Sequence, residues 1–156
     1  MKLRFKQRFF SWFDSYDIYD EEGNTVYVVK GELSWGHRLQ IYDAYGSPVG
    51  RVQERVLTWL PKFELYVGEQ LVGEIQKEFT LFRPKFQIDC NGWTVEGDFW
   101  EWDYTVRDGE RIVMRLSKEL WNWTDTYSMD INRPEDALYC LMIVLAIDAV
   151  KCSQSK

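Results

Sequence analysis

The sequence predicts a mainly β protein, a closed antiparallel barrel of about twelve strands around a central hydrophobic C-terminal α-helix. Three observations support this fold class. Short segments rich in β-branched and aromatic residues continue up to Ile131, turn glycines separate them at regular intervals, and the last long segment is apolar on every side. The 156 residues fit a single domain, with the barrel at about 1–131 and the central helix at about 134–151.

The predicted strands form repeated hairpins. The clearest hairpin covers residues 16–31, where an acidic, glycine-containing turn joins two runs of β-forming residues, and the same pattern returns at 39–52 and 63–75. The turn glycines are Gly23, Gly46, Gly68 and Gly92, at intervals of 23, 22 and 24 residues, and a further turn follows at Gly109. Each interval is long enough for two strands and their turns, so we expect eleven or twelve strands before residue 132.

The C-terminal segment begins as a helix at 132–136, where a proline and two acids occupy the first turn. Residues 137–150 are then apolar or weakly polar apart from Asp148. This run is too short for a membrane span, so we expect no transmembrane segment and expect the protein itself to surround the helix. A barrel of twelve strands about 4.8 Å apart, tilted by about 40°, has a diameter of about 24 Å, which leaves room for one helix. Asp148 should emerge at the barrel mouth or pair with an arginine of the barrel.

Four features of the chain resemble the LURP-one-related family, which shares the tubby C-terminal-like fold with the phospholipid scramblases. They are the basic aromatic opening, hairpins such as that at 39–46, the late strand at 125–131, and the closing helix with Leu-Ala-Ile-Asp-Ala at 145–149. The resemblance covers nearly the whole chain and implies a twelve-stranded barrel threaded by its C-terminal helix. It implies little about function, because many members have no assigned activity. Tubby domains bind phosphoinositides through basic surface residues, but no tubby ligand motif is found here.

Charge and cysteine content exclude several functions. The net charge of −6 opposes binding to nucleic acid, because phosphate affinity requires clustered lysine and arginine. Cys90, Cys140 and Cys152 are widely spaced and lack a CxxC pair, so we interpret them as free thiols and predict neither a metal site nor a cofactor. Asp14 and Asp17 interrupt the N-terminal segment before a signal-peptide core can form, which predicts a cytoplasmic protein, with peripheral membrane association left open.

No catalytic group stands out. His37 is the single histidine, and Ser47 does not lie in a nucleophile elbow. Asp98, Glu101 and Asp103 lie among aromatic residues, as in a carbohydrate-active enzyme. Their alternation with the aromatics is better interpreted as one half-buried strand. We therefore predict that the chain is not an enzyme.

The candidate binding residues are basic. Lys2, Arg4, Lys6 and Arg8 alternate with apolar residues, so strand periodicity places them on one face, and Arg83 and Lys85 form a second small site. We expect these ligand-binding residues to contact an anionic, phosphoinositide-like lipid headgroup or a protein partner. The leading hypothesis is a non-enzymatic binding or scaffold domain. The alternatives are a carrier barrel for a small apolar ligand and, less favoured, a carbohydrate-active enzyme. Some of the eight tryptophans should mark a contact patch, but neither these residues nor the oligomeric state follows from the sequence.

Overall fold

The computed structural model describes the placement of residues 1–6, 15–81, 85–121 and 124–153. These residues form twelve strands, one 3-10 turn at Pro134–Asp136 and one helix, α1, at Ala137–Ser153. The strands are β1 Lys2–Lys6, β2 Ser15–Tyr19, β3 Thr25–Ser34, β4 Gly36–Asp43, β5 Pro48–Glu54, β6 Lys62–Val67, β7 Gln70–Glu78, β8 Lys85–Cys90, β9 Thr94–Asp98, β10 Asp103–Asp108, β11 Arg111–Trp121 and β12 Thr124–Ile131.

The twelve strands form one antiparallel sheet that curls into a nearly closed barrel. Its strand order is β8-β7-β6-β5-β4-β3-β2-β1-β12-β11-β10-β9, so the first strand pairs with the last, with Leu3 opposite Met129. This confirms the predicted fold class, with one difference. β8 and β9 are the two edges of the sheet and do not continue the hydrogen-bonded ring. The rings of Phe86 and Phe99 meet edge-on at 4.8 Å, so bulky side chains fill the space that backbone pairing would close.

The core lies between the inner face of the barrel and the helix. Strands bury alternate residues, such as Phe63 and Leu65 of β6, whereas all seven helical residues from 141 to 147 are buried. At Gly50 of β5 an added Cβ would lie 3.2 Å from Leu138 Cδ1 and 3.3 Å from Met142 Sδ, so the helix packs closely against this strand. The helix α1, which is apolar on every side, therefore lies at the centre of the barrel, as the sequence predicts.

The regular turn glycines all lie at one end of the barrel. Gly23, Gly46, Gly68, Gly92 and Gly109 have positive φ angles between 59° and 86°, which confirms their predicted role in tight turns. Each interval between them spans two antiparallel strands, so successive glycine turns return to the same end. The opposite end carries the described connections at 35, 55–61, 79–81 and 99–102. It also carries the end of α1, where Lys151 Nζ donates a hydrogen bond to the Phe99 carbonyl oxygen at 2.6 Å.

Candidate functional site

Exposed apolar side chains concentrate on the loops opposite the glycine turns. In the part of the chain that the structure describes, ten large apolar side chains are exposed, and three of them, Met1, Tyr45 and Leu71, lie toward the glycine-turn end. We call the opposite end the aromatic end. It carries the other seven, Trp35, Val56, Leu57, Trp59, Phe79, Leu81 and Trp100. A grouping of this kind commonly marks an interaction surface.

The loop between β5 and β6 holds Leu57 and Trp59 in solvent. The backbone N–H of Arg55 donates to the Lys62 carbonyl oxygen at 2.9 Å, and the Thr58 hydroxyl lies 2.8 Å from the Leu60 carbonyl oxygen. Leu57 adopts φ 64°, a left-handed conformation that leucine rarely takes, and its side chain is fully exposed. Folding gains nothing from a strained, solvated leucine, and strained residues of this kind cluster at functional sites.

The turn that carries Trp35 is packed against the same loop. Gly36 has φ 85°, and a Cβ added there would lie 2.8 Å from Val56 Cγ1. Beside it, the Glu54 Oε2 atom lies 3.0 Å from the backbone N and 2.7 Å from Nδ1 of His37. These contacts join two neighbouring hairpins into one surface and give His37 a structural role.

The connection between β9 and β10 directs its aromatic side chains in two directions. Phe99 and Trp102 are buried, whereas Trp100 is 59% exposed. The Asp98 carboxylate fixes this turn, because its Oδ1 accepts the backbone N–H groups of Trp100 and Glu101 at 3.0 and 3.1 Å. The sequence analysis interpreted residues 98–103 as one half-buried strand, and this interpretation is wrong. Asp98 ends β9, Asp103 begins β10, and a turn stabilised by Asp98 joins the two strands.

The end of the helix also supports the turn at 99–102. Lys151 Nζ lies 3.7 Å from the ring centroid of Trp102 in a cation–π contact. Asp148, one turn earlier, is half-buried, and this burial raises the pKa of its carboxyl to about 7, an effect that the positive charge of Lys151 partly offsets. Asp148 thus lies at the barrel mouth, which agrees with the first of the two placements expected from the sequence.

The predicted basic residues do not form one site. Lys2, Arg4 and Lys6 share the outer face of β1, as alternation predicts, but Lys2 faces Asp130 across the sheet. Lys85 begins the edge strand β8, with several strands between it and β1 in either direction around the sheet. Arg8 and Arg83 lie outside the described residues.

Charge is distributed unequally between the two ends. At the aromatic end, the charges of the described loops and of the strand and helix residues beside them nearly cancel, with the bases Lys6, Arg55, Lys62, Lys85 and Lys151 and the acids Glu54, Glu78, Asp98, Glu101, Asp103 and Asp148. At the glycine-turn end, which we call the acidic end, the bases Lys2, Arg111 and Arg133 accompany the acids Asp20, Glu21, Glu22, Asp43, Glu69, Asp108, Glu110, Glu135 and Asp136. Among these described residues, the excess negative charge is therefore concentrated at the acidic end.

The barrel and its helix can be compared with known proteins. The model of the LURP-one-related family matches residues 1–148. The chain belongs to the LURP-one-related family. It is 33% identical over 151 residues to the uncharacterized protein YxjI of Bacillus subtilis (strain 168), with 96% of this chain and 93% of that protein covered. An Arabidopsis thaliana protein solved by X-ray crystallography has the same fold, with a TM-score of 0.65, 17% identity, and coverage of 95% of this chain and 90% of that chain. Among the described residues of this LURP-one-related chain, no helix is long and apolar enough to cross a bilayer.

Sequence reasoning did not identify the aromatic end, although a signal was present. Trp35, Trp59, Phe79 and Trp100 follow one another at intervals of 24, 20 and 21 residues, roughly midway between the turn glycines. Since an interval of this length covers two antiparallel strands, residues midway between successive turns must reach the opposite end of a meander. This periodicity could have separated the exposed tryptophans from the buried Trp93, which follows a turn glycine directly.

Proposed function

We propose that this chain is a non-enzymatic binding domain that docks on its partner through the aromatic end. The observation that carries the proposal is the placement of seven of the ten exposed apolar side chains on loops of one end. Internal contacts hold several of these loops in place, so the apolar tips are preorganised, and binding then costs less conformational entropy. Both partner classes expected from the sequence, a lipid surface and a protein, are compatible with such an end.

A non-catalytic role is supported by the structural engagement of side chains that could do chemistry. Asp98 accepts backbone hydrogen bonds in its turn, and His37 pairs with Glu54. Burial raises the pKa of the Cys90 thiol to about 11 and that of Cys140 further still, so neither forms a thiolate readily near neutral pH. These contacts argue against the carbohydrate-active enzyme as well as against a nucleophilic one.

The carrier hypothesis has less support than docking. A barrel that carries a small apolar ligand needs lumen space beside its strands, as in lipocalins. Here α1 occupies the lumen, and its residues from Leu141 to Ile147 are buried against the core. The apolar surface left for a partner therefore lies outside the barrel.

Site-specific photo-crosslinking in living cells tests the proposal, because it captures a partner whatever its identity. A photoreactive amino acid would be placed at Trp59 and, as a matched exposed control, at Glu21 of the acidic end. We expect adducts of defined mass from position 59 and none from position 21. Equal adduct yields from the two positions, or none from position 59, would contradict docking through the aromatic end.

A further inference from the structure

We infer that the surface on which the aromatic end docks is the interfacial layer of an anionic phospholipid bilayer, with the apolar loop tips inserted among the lipids. This inference rests on the proposed function and names its partner. The three observations that carry it are the arrangement of the apolar tips around the barrel rim, their chemistry, and the separation of charge along the barrel axis.

The apolar tips are distributed over several loops around the barrel rim. They lie on the loops that join β3 to β4, β5 to β6, β7 to β8 and β9 to β10, which are four successive connections at this end of the barrel. These loops share one end of a barrel about 24 Å across, so their tips follow a wide arc around its rim. A protein interface usually concentrates its energy in one central, packed cluster. Tips that are spread around a rim are better suited to a fluid surface.

The residue types at these tips are those that favour a membrane interface. Tryptophan prefers the headgroup level of a bilayer, where its ring is buried and its N–H can find a polar partner. Trp35 and Trp59 are about nine-tenths exposed, and Leu57, Phe79 and Leu81 beside them can reach the acyl boundary. Membrane insertion would also give the strained Leu57 the apolar environment that its solvated position lacks.

The charge distribution orients the barrel. The exposed bases Arg55 and Lys85 lie at or behind the apolar tips, where they can contact lipid phosphates. Acids outnumber bases at the opposite end, so an anionic surface repels that end and turns the aromatic end toward the bilayer. Since the aromatic end is close to neutral rather than strongly basic, insertion of the apolar side chains must supply most of the affinity, and binding should survive moderate salt.

Vesicle flotation of the full chain tests this inference. The probes are phosphatidylcholine vesicles with and without phosphatidylglycerol. We expect the protein to float with the phosphatidylglycerol vesicles, and to keep most of that binding in moderate salt. Failure to float with them would overturn the membrane inference, and so would binding that disappears completely at moderate salt.

Two variants and one control locate the contact. Leu57→Asn removes an apolar tip, and because asparagine accepts a left-handed conformation, this variant should fold at least as well as the wild type. The double variant Trp35→Ser with Trp59→Ser should lower vesicle partitioning at least about tenfold, about 1.4 kcal/mol. The control, Tyr45→Ser with Leu71→Ser, removes exposed apolar groups from the acidic end and should leave partitioning unchanged. Equal losses in the double variant and the control, with unchanged thermal unfolding, would contradict docking through the aromatic end.

The flotation and crosslinking experiments fail in different ways. If the protein floats with neither vesicle type but crosslinks from position 59 to a protein, the membrane inference is wrong, whereas the proposal of a binding domain is supported. If the protein floats with neither vesicle type and gives no adduct from position 59, both proposals are wrong. Lipid adducts from position 59 together with flotation support both.

Discussion

The two ends of this barrel are built from the same meander but from different residues. At the acidic end, short turns pair their own backbone hydrogen-bonding groups. Asp43 Oδ1 accepts hydrogen bonds from the backbone N–H groups of Tyr45 and Ser47, both at 2.9 Å, and Gly46 adopts the positive φ that the turn requires. At the aromatic end, positive φ falls not only on Gly36 but also on Leu57 and Trp102. Turn formation explains the aspartate and glycine residues of the acidic end. It does not explain why leucine and tryptophan are exposed at the other end, and this difference indicates a binding role.

The largest expected effect is on stability and distinguishes a buried from an exposed tryptophan in the loop between β9 and β10. Trp102→Ala should destabilise the protein by about 3–5 kcal/mol, because its buried ring stacks on Tyr127 at 4.3 Å and contacts Lys151. Trp100→Ala, two residues away, should change stability by less than about 1 kcal/mol because its side chain is largely exposed. Urea denaturation of both variants checks this. Similar losses would mean that the exposed aromatics serve folding, and the comparison between the two ends would collapse.

A smaller effect tests the turn chemistry of the acidic end. Asp43→Ala removes an acceptor for two backbone N–H groups and should cost about 1–2 kcal/mol. The control Glu69→Ala, whose side chain is 95% exposed, should stay within about 0.5 kcal/mol. Thermal unfolding of both variants measures the difference. If the two variants melt together, Asp43 is not what holds its turn.

An effect of similar size concerns the half-buried acid of the aromatic end, Asp148, and depends on pH. Burial raises the pKa of Asp148 from 3.8 to about 7, so between about pH 4 and 7 the folded state keeps a proton that the unfolded state has lost. Stability due to this group is therefore highest below pH 4 and falls as pH rises toward 7. The free energy of unfolding of Asp148→Asn, taken relative to the wild type, should therefore increase by about 1–2 kcal/mol from pH 4.5 to pH 8. Partial exposure of the side chain keeps this change below the full effect of the pKa shift. If the difference in unfolding free energy between the two proteins did not change with pH, the pKa of Asp148 would not be raised in the folded state.

The fold could be predicted because its causes are local. Glycine spacing determined the turns, alternation determined which strand residues are buried, and the uniform apolarity of 137–150 required a surrounding barrel. The open seam between β8 and β9 could not be predicted in this way, because no residue pattern states which two strands fail to pair. Nor could the turn at 98–103 be recognised, since its acids and aromatics also alternate as a strand would.

The site was less predictable because exposure depends on long-range packing. Trp100 and Trp102 are two residues apart and would share a strand face, yet one is exposed and the other buried. Their difference comes from the Asp98 turn and from Lys151, which lies 52 positions along the chain from its hydrogen-bond partner Phe99. The basic residues of β1 were placed correctly on one face, but charge alternation alone did not reveal that Asp130 lies opposite Lys2.

Hydrogen exchange with and without phosphatidylglycerol-containing vesicles tests the central claim most directly, because it reports on both ends of the unmodified protein at once. If the aromatic end docks on the bilayer, backbone amides at 55–60 and 79–81 should become protected when vesicles are added. Those at 20–24 and 44–47 of the acidic end should exchange as before. Protection that appears at the acidic turns, or that is shared equally by the two ends, would contradict the account.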